Sequence, residues 1–317
     1  MRNLGASAKR LRVAMASWLE WVGAARPRTL PAAVAPVLVG GAAAAHVGGF
    51  HLGRALLAAG VALALQVGVN YANDYSDGIR GTDATRGGSG PGGTGPTRLT
   101  ASGAVAPRRV KAAAFAWFGM AGALGLALTI ATGMWWLLAV GAAAIIAAWF
   151  YTGGERPYGY AGLGEVFVFL FFGLVATLGT TFTQLGRVTL PAVLGACGIG
   201  LLACAILMVN NIRDIPTDVL AGKRTLAARI GDGAARWAFT AMIYLAVLLG
   251  LGVVVVISAH LTPIVLAALM FVPAAVLVRL VLRGATGRDL IPPLAGTATF
   301  ELAYATLLAT ALTSLRG

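Results

Sequence analysis

Charged side chains are scarce in this chain of 317 residues. They make up 11% of the sequence, whereas an average soluble domain has about 25%. Hydrophobic residues make up 58%, and the mean hydropathy is +0.83. This composition excludes a soluble enzyme and predicts an all-α membrane protein.

Cysteine and histidine are also rare, with two and three residues respectively. Cys197 and Cys204 lie seven positions apart in one apolar run, on one face of a helix. This spacing supports neither a disulfide framework nor a zinc site, so we interpret both as packing residues. The three histidines fall at the outer ends of apolar runs, away from the acids, so we expect no histidine-ligated metal.

Long apolar runs dominate what is present. A transmembrane helix needs about 20 mainly apolar residues, and we count nine runs near that length, the fourth being short. They predict a nine-helix transmembrane bundle forming one domain over residues 29–317. Residues 1–28 are expected to contain a short interfacial helix, over residues 14–25, anchored by Trp18 and Trp21. The runs are 30–47, 51–71, 112–132, 135–151, 163–183, 190–210, 237–257, 261–282 and 291–312.

The formal net charge of +13 would suggest nucleic acid in a soluble chain. Here the basic residues sit in short loops between apolar runs. Of the 24 Lys and Arg, 21 fall on one side of the predicted bundle and three on the other. Because cytoplasmic loops accumulate Lys and Arg, we expect a multi-pass protein of the cell membrane with a cytoplasmic N-terminus. Its partners would include the lipid bilayer and no nucleic acid. Reading the first run as a cleavable signal would invert this alternation, and we reject it.

Only 11 acids are present, and five of them form two clusters. The first cluster follows the second apolar run, and the second follows the sixth. These two runs cross in the same direction, so both clusters should meet at the cytoplasmic membrane edge. The acids are Asp74, Asp77 and Asp83 in the first cluster, and Asp214 and Asp218 in the second.

Spacing within the clusters points to a chemistry. Asn73 and Asp77 are four residues apart, as are Asp214 and Asp218, so each pair shares a helical face with about 6 Å between members. Mg²⁺ prefers oxygen ligands and usually takes one or two carboxylates together with substrate phosphates. Basic residues nearby would suit a diphosphate; they are Arg80, Arg213, Lys223 and Arg224. We interpret the clusters as a Mg²⁺-diphosphate site facing an apolar interior.

Simpler interpretations exist for isolated features. A single aspartate near a helix end, such as Asp74 or Asp232, is usually a cap or a solvated loop residue. The glycine-rich stretch 87–95 has the composition of a phosphate loop, but no strand, loop and helix context surrounds it. For that stretch we favour a flexible linker.

Several short segments together resemble a known family. They are residues 25–31 (ARPRTLP), 73–78 (NDYSDG), 81–83 (GTD), 95–99 (GPTRL), 151–154 (YTGG), 157–160 (PYGY), 164–165 (GE), 210–214 (NNIRD) and 222–226 (GKRTL). This combination is similar to the UbiA superfamily of intramembrane prenyltransferases, and most of all to its menaquinone-pathway members. The stretch 87–95 is longer and richer in glycine than that family leads us to expect.

The resemblance implies a nine-helix fold and a Mg²⁺-dependent reaction. A polyprenyl group would pass from polyprenyl diphosphate to 1,4-dihydroxy-2-naphthoate, with decarboxylation, giving demethylmenaquinone. By the same resemblance the Mg²⁺ ligands would be Asn73, Asp77, Asp83, Asp214 and Asp218, with Asp74 in the same element, and the four acids Asp77, Asp83, Asp214 and Asp218 would be catalytic. Diphosphate contacts would come from Asn73, Arg80, Arg98, Asn210, Asn211 and Lys223. Tyr151 and Tyr158 would contact the aromatic acceptor, unless they are interfacial anchors.

Two alternatives stay open. The first is a prenyltransferase for another acceptor, such as 4-hydroxybenzoate. The second is a cation-coupled secondary transporter, which would place acids near the middle of the membrane. The two acidic clusters at the cytoplasmic edge favour the enzyme.

Overall fold

The computed structural model describes residues 18–83, 98–258 and 260–315. All regular elements within these ranges are helices, as predicted. The glycine-rich stretch 87–95 and residues 14–17 of the expected interfacial helix lie outside the described residues.

Eleven helices follow one another in the described residues. Helix α6 contains a π-helical stretch, Phe169–Val175, and α10 is interrupted after Ala268. The bounds are α1 Trp18–Ala24, α2 Pro31–His46, α3 Leu52–Arg80, α4 Pro107–Thr132, α5 Leu137–Phe150, α6 Gly164–Leu185, α7 Leu190–Leu220, α8 Leu226–Ile230, α9 Asp232–Ile257, α10 Leu261–Leu282 and α11 Ile291–Ser314. Single 3₁₀ turns occur at Pro27–Thr29, Tyr158–Ala161 and Gly287–Leu290.

The number of spans differs from the nine that we predicted. Six of the described helices are long and apolar enough to cross a membrane, namely α3, α4, α6, α7, α9 and α10; a seventh is added if the pair formed by Trp18–Thr29 and α2, bent by 45°, counts as one span. Helix α5 has only 14 residues. Helix α11 has 24 residues but carries Glu301 and several threonines, and it is not among the spanning candidates. The chain is therefore a multi-pass membrane protein, and the count of nine is not confirmed.

Helices α3 and α7 extend well beyond the apolar runs that predicted them. They have 29 and 31 residues and end at Arg80 and Leu220, about two and a half turns after the predicted ends at 71 and 210. The polar extensions stay helical because their side chains find partners in neighbouring segments, as described below. The aspartate clusters therefore lie largely on helical faces and not in loops.

Three clusters of buried apolar residues hold the helices together, and the two larger ones contain α7 and α3. The larger one joins residues of α2, α7, α9, α10 and α11, around Tyr304 and Phe239. The smaller one joins α1, α3 and α4 with side chains of α5, around Phe118 and Leu99. Because α3 belongs to the smaller cluster and α7 to the larger, the two aspartate motifs project from different packed units. We call the end of the bundle where α3 and α7 finish the site end.

Helices α6 and α7 touch through their backbones. A Cβ atom built on Gly173 would lie 2.6 Å from the Cα of Gly200, and one built on Gly200 would lie 3.1 Å from the Cα of Gly173. No methyl group fits between them. Gly173 lies in the π-helical stretch of α6, a type of distortion that often accompanies functional sites.

At the end of the bundle opposite the site end, hydrogen bonds between side chains and backbone groups join the helix ends. The guanidinium of Arg54 donates to the carbonyl of Thr183 at 3.0 Å, and the side-chain oxygen of Gln184 accepts from the N–H of His51 at 2.7 Å. The ring of His46 donates through Nδ1 to the carbonyl of Leu312 at 3.1 Å. These contacts satisfy backbone groups that helix ends leave unpaired.

Candidate active site

The first aspartate motif is held by hydroxyl groups from a distant loop. Thr152 donates its hydroxyl to the side-chain oxygen of Asn73 at 2.8 Å, and Tyr160 donates its hydroxyl to Asp77 at 2.7 Å. The same Tyr160 oxygen is 3.0 Å from the hydroxyl of Thr82. Asn73 and Asp77 are both buried and lie on one face of α3, as their spacing predicts. The loop between α5 and α6 therefore forms one wall of the site.

Asp74 has a structural task within the same motif. Its two carboxylate oxygens accept the backbone N–H groups of Leu99 and Thr100, each at 2.9 Å. The side chain is almost fully buried, and the contact fixes the segment that leads into α4. This geometry supports the structural interpretation of Asp74 rather than a role as a metal ligand.

Asp83 and Arg98 form a buried ion pair, with 3.3 Å between Arg98 Nη1 and Asp83 Oδ2. A second arginine enters this region from the N-terminal side. Arg26 interacts electrostatically with Asp83, Asp74 and Asp77 and with Arg98. Its backbone adopts φ 54°, which makes it the one residue other than glycine with positive φ among those described. Such a conformation costs energy and often accompanies functional sites.

Arg80 points toward the protein backbone. Its guanidinium donates to the carbonyls of Thr152 and Gly154 and lies 5.3 Å from the centre of the Tyr160 ring. Arg80 thus holds the loop that also holds Asn73 and Asp77. A contact between Arg80 and the diphosphate stays a prediction.

The second motif is held by cations close to it in sequence. The guanidinium of Arg213 pairs with both carboxylate oxygens of Asp214, at 2.7 and 2.9 Å, and also donates to the side chain of Asn210 at 2.8 Å. The ammonium of Lys223 lies 3.9 Å from Asp218. Asp214 and Asp218 are both buried on α7, and their carboxylates face cations.

Tyr160 lies between the two motifs. Its hydroxyl binds Asp77, and the ammonium of Lys223 lies 5.2 Å from its ring centre. Burial and the Asp77 carboxylate raise the pKa of the Tyr160 hydroxyl above its usual value, so the hydroxyl remains a donor at neutral pH. The chain of contacts from Asp77 through Tyr160 and Lys223 to Asp218 joins the ends of α3 and α7.

The predicted acceptor residues lie beside this chain. Tyr151 and Tyr158 pack edge to face with 5.6 Å between ring centres. Tyr158 donates its hydroxyl to the carbonyl of Ala147 at 2.8 Å and stacks on Phe167 at 4.0 Å. Tyr151 interacts electrostatically with both Asp77 and Glu165. The tyrosines therefore form a half-buried aromatic wall between two carboxyl groups.

Sequence reasoning assigned no role to Glu165, which the structure brings to the site. Its Oε1 accepts from the side chain of Asn211 at 3.1 Å, and Lys223 interacts with it electrostatically. Tyr160, Thr152 and Arg26 were also missed as site residues. All four lie in or next to the segments that carry the family resemblance, which was the only signal in the sequence that could have found them.

No preformed metal cluster exists in the described part of the chain, since no three Asp, Glu, His or Cys side chains there lie close enough to hold one ion. The donors nevertheless fit Mg²⁺. Asp77, Asp214 and Asp218 provide buried hard oxygen atoms, and Mg²⁺ commonly takes only one or two carboxylates with phosphates and waters. The aspartates meet hydroxyl groups and cations that a metal and a diphosphate could replace.

The profile of the UbiA prenyltransferase family matches residues 33–290. The chain belongs to this family.

Relatives and solved structures agree with this membership. A 1,4-dihydroxy-2-naphthoate octaprenyltransferase from Mycobacterium tuberculosis is 47% identical over 299 residues, 94% of this chain and 98% of that protein. The enzyme of the same name from Escherichia coli is 39% identical over 222 residues, 68% of this chain and 70% of that protein. A UbiA homolog from Archaeoglobus fulgidus, bound to DMAPP and Mg²⁺, matches the fold with a TM-score of 0.65 at 14% identity, covering 92% of this chain and 99% of that one.

Proposed function

We propose that this chain is a Mg²⁺-dependent prenyltransferase that moves a polyprenyl group from polyprenyl diphosphate to 1,4-dihydroxy-2-naphthoate. The reaction would release diphosphate and CO₂ and give the quinol form of demethylmenaquinone. The observation that carries the proposal is the pair of aspartate motifs at the ends of α3 and α7, joined through Tyr160 and Lys223. The names of the curated relatives support the choice of acceptor.

The residues divide into three groups by what they would hold. Asn73, Asp77, Asp83, Asp214 and Asp218 would bind Mg²⁺, which neutralises charge on the diphosphate oxygens. Lys223, Arg98 and Arg213 would bind the diphosphate directly, and Arg26 would join them. The aromatic wall of Tyr151 and Tyr158 would lie against the acceptor ring, while the prenyl tail extends between the apolar helices.

Catalysis would rest mainly on electrostatics. The allylic C–O bond breaks more easily when fixed cations stabilise the leaving diphosphate in a site that excludes water. Tyr160 would remain protonated and keep Asp77 oriented toward the diphosphate. No nucleophilic serine or cysteine is needed, because the ring carbon of the acceptor attacks the allylic carbon.

The topology that we propose has nine spans, with the N-terminus and the site end on the cytoplasmic side of the cell membrane. This requires that α5 and α11 cross the membrane although they fall short of the criteria for a single apolar span. The distribution of 21 basic residues on one side and three on the other supports it. Accessibility labelling of single cysteines introduced at positions 187 and 224 would test it, since the two should react from opposite sides.

Transfer assays on the purified protein test the function. We expect turnover with Mg²⁺, octaprenyl diphosphate and 1,4-dihydroxy-2-naphthoate, and loss of turnover with EDTA that added Mg²⁺ restores. Turnover of 4-hydroxybenzoate without turnover of the naphthoate would contradict the proposed acceptor. Absence of transfer to every aromatic acceptor tested would contradict the enzyme class.

A further inference from the structure

Glu165 is a buried carboxyl group at the site, and the proposed binding of metal and diphosphate does not use it. It is the second residue of helix α6 and is 6% exposed. Its Oε1 accepts from Asn211. Its Oε2 is buried and has no hydrogen-bond partner among the residues that the structure describes. A buried acceptor oxygen without a donor is costly, which indicates that a ligand supplies one.

The surroundings of Glu165 belong to the acceptor side of the site. Tyr151, from the loop after α5, interacts with it electrostatically, and the Tyr151 hydroxyl lies 3.7 Å from where a Cβ atom of Gly164 would stand. On α7, Cys204 donates its thiol to the Glu165 carbonyl at 3.1 Å. Lys223 is the cation that acts on Glu165. The carboxyl group therefore sits next to the aromatic wall, with Lys223 between it and Asp218.

We propose that Glu165 is a catalytic residue that binds the ring hydroxyl of the aromatic acceptor through Oε2 and takes its proton during prenyl transfer. A phenolic O–H is the kind of donor that the unpaired oxygen lacks. Losing the proton makes the ring carbon beside the hydroxyl a stronger nucleophile. The inference rests on the proposed function, because it needs an aromatic acceptor that carries a hydroxyl group.

The step balances without an oxidant or a reductant. The allylic C–O bond breaks, and its electron pair leaves with the diphosphate. A C–C bond forms between the allylic carbon and the ring carbon that bears the carboxylate, while the adjacent hydroxyl becomes a carbonyl and its proton passes to Glu165. The product is a β-keto acid, which loses CO₂. The released electron pair then restores the aromatic ring, and the oxygen regains a proton from Glu165.

Replacing Glu165 by glutamine tests the proposal. The Glu165→Gln side chain can still accept from Asn211, so a purely structural role would survive, but it cannot take a proton. A general base contributes typically about 10²–10⁴-fold, so we expect kcat to fall by that factor. The KM for octaprenyl diphosphate should stay within about threefold, since the diphosphate contacts are unchanged.

The chain offers a matched control. Glu301 on α11 is also buried, and both of its oxygens lack a hydrogen-bond partner among the described residues, but it belongs to the packed unit around Tyr304 and not to the site. Glu301→Gln makes the same chemical change and should leave kcat unaltered. A kcat for Glu165→Gln close to the wild-type value, or an equal loss in both variants, would overturn the proposal.

A second readout separates proton removal from positioning. An acceptor with a more acidic hydroxyl group depends less on a base to remove its proton. We therefore expect the wild-type rate divided by the Glu165→Gln rate to become smaller as the hydroxyl pKa falls along a series of halogenated naphthoates. A constant ratio would contradict the role as a base. If Glu165→Gln does not fold, Glu165→Asp decides. It should lower kcat by about 10- to 100-fold because the carboxylate is one methylene short, and an unchanged kcat would contradict the proposal.

Failure of the proposed function gives a different result. Wild-type protein that prenylates 4-hydroxybenzoate instead of the naphthoate would refute the acceptor alone, and the comparison of Glu165 variants would then use 4-hydroxybenzoate, which also carries a phenolic hydroxyl. A wild-type protein inactive with all aromatic acceptors refutes the function and, with it, this role of Glu165.

Discussion

The two aspartate motifs have the same four-residue spacing but are held in different ways. The first motif, on α3, is held by neutral donors from far along the chain, namely Tyr160 on Asp77 and Thr152 on Asn73. The second, on α7, is held by cations within five residues, Arg213 on Asp214 and Lys223 beside Asp218. Identical spacing therefore does not mean identical chemistry.

This difference suggests that the two motifs have different roles in binding metal and diphosphate. The Asp77 carboxylate is hydrogen-bonded by a neutral hydroxyl group, which a metal ion can replace. Carboxylates already paired with arginine or lysine offer a site of nearly balanced charge, where cations are positioned for an incoming diphosphate. We therefore expect the first motif to dominate metal affinity and the second to dominate diphosphate affinity.

Removing an aspartate from either motif should produce the largest effect. Asp77→Ala and Asp214→Ala each delete a proposed metal ligand, and we expect loss of transfer by about 10³-fold or more, equivalent to several kcal/mol of transition-state stabilisation. Radiolabelled prenyl transfer at saturating Mg²⁺ measures this. Asp289→Asn, an exposed acid elsewhere at the site end, is the control. Near-normal activity in both alanine variants would refute the site.

Removing the Tyr160 hydroxyl should come next. Tyr160→Phe keeps the ring beside Lys223 and Arg80 but deletes the hydrogen bond to Asp77. A hydrogen bond to a charged group contributes roughly 1.5–3 kcal/mol, so we expect kcat/KM to fall about 10- to 100-fold and the Mg²⁺ requirement to rise. Steady-state assays over a Mg²⁺ titration measure both, with Tyr244→Phe, on α9, as the control. An unchanged Mg²⁺ requirement would contradict the expectation that the first motif dominates metal affinity.

Loss of Arg213 should have a smaller effect on activity. It should lower the Mg²⁺ requirement, whereas Tyr160→Phe should raise it. Arg213→Gln removes the cation from the buried Asp214 carboxylate, so the Mg²⁺ concentration for half-maximal activity should fall by at least about two- to fivefold, the range that an exposed ion pair would give. The KM for octaprenyl diphosphate should rise by a similar factor. The same titration measures both, and Arg283→Gln, at an exposed position directly after α10, is the control. A rise in the Mg²⁺ requirement would show that both motifs act alike.

Asp74 should affect stability more than activity. Asp74→Asn can accept only one of the two backbone N–H groups at Leu99 and Thr100 and places its amide against the other. The buried mismatch should cost about 2 kcal/mol, which corresponds to a Tm lower by roughly 4–8 °C. Thermal unfolding in detergent measures the shift. A stable protein that had lost its Mg²⁺ dependence would instead make Asp74 a metal ligand.

Much of the architecture could be read from the sequence because hydrophobic runs and sparse acids are local signals. Each of the nine predicted runs overlaps a helix, and the motifs lie at the ends of α3 and α7. The span count could not be settled, because α11 carries Glu301, which packing buries fully, together with several threonines. Its mean hydropathy alone does not reveal that burial.

Contacts between segments that are distant in sequence could not be predicted from the sequence. Nothing in residues 73–83 indicates that Tyr160 and Thr152 lie on the motif, or that Asp74 binds backbone groups while Asp77 does not. The same applies to Arg80, whose sequence position suits a diphosphate but whose guanidinium reaches loop carbonyls. These choices depend on how the loop between α5 and α6 folds back over the bundle.

The contact between Gly173 and Gly200 has a consequence for how mutations are distributed in this protein. Glu165 and Asn211 sit on two helices whose separation is limited by this one backbone contact, which carries no functional group and lies deep among the apolar side chains. A selection for loss of activity should therefore recover alanine or larger residues at these two glycines as well as substitutions of the aspartates. The glycine variants should leave every reactive group intact and change only the separation of α6 and α7 beside the acceptor pocket, so some of them should differ in the size of aromatic ring that they accept.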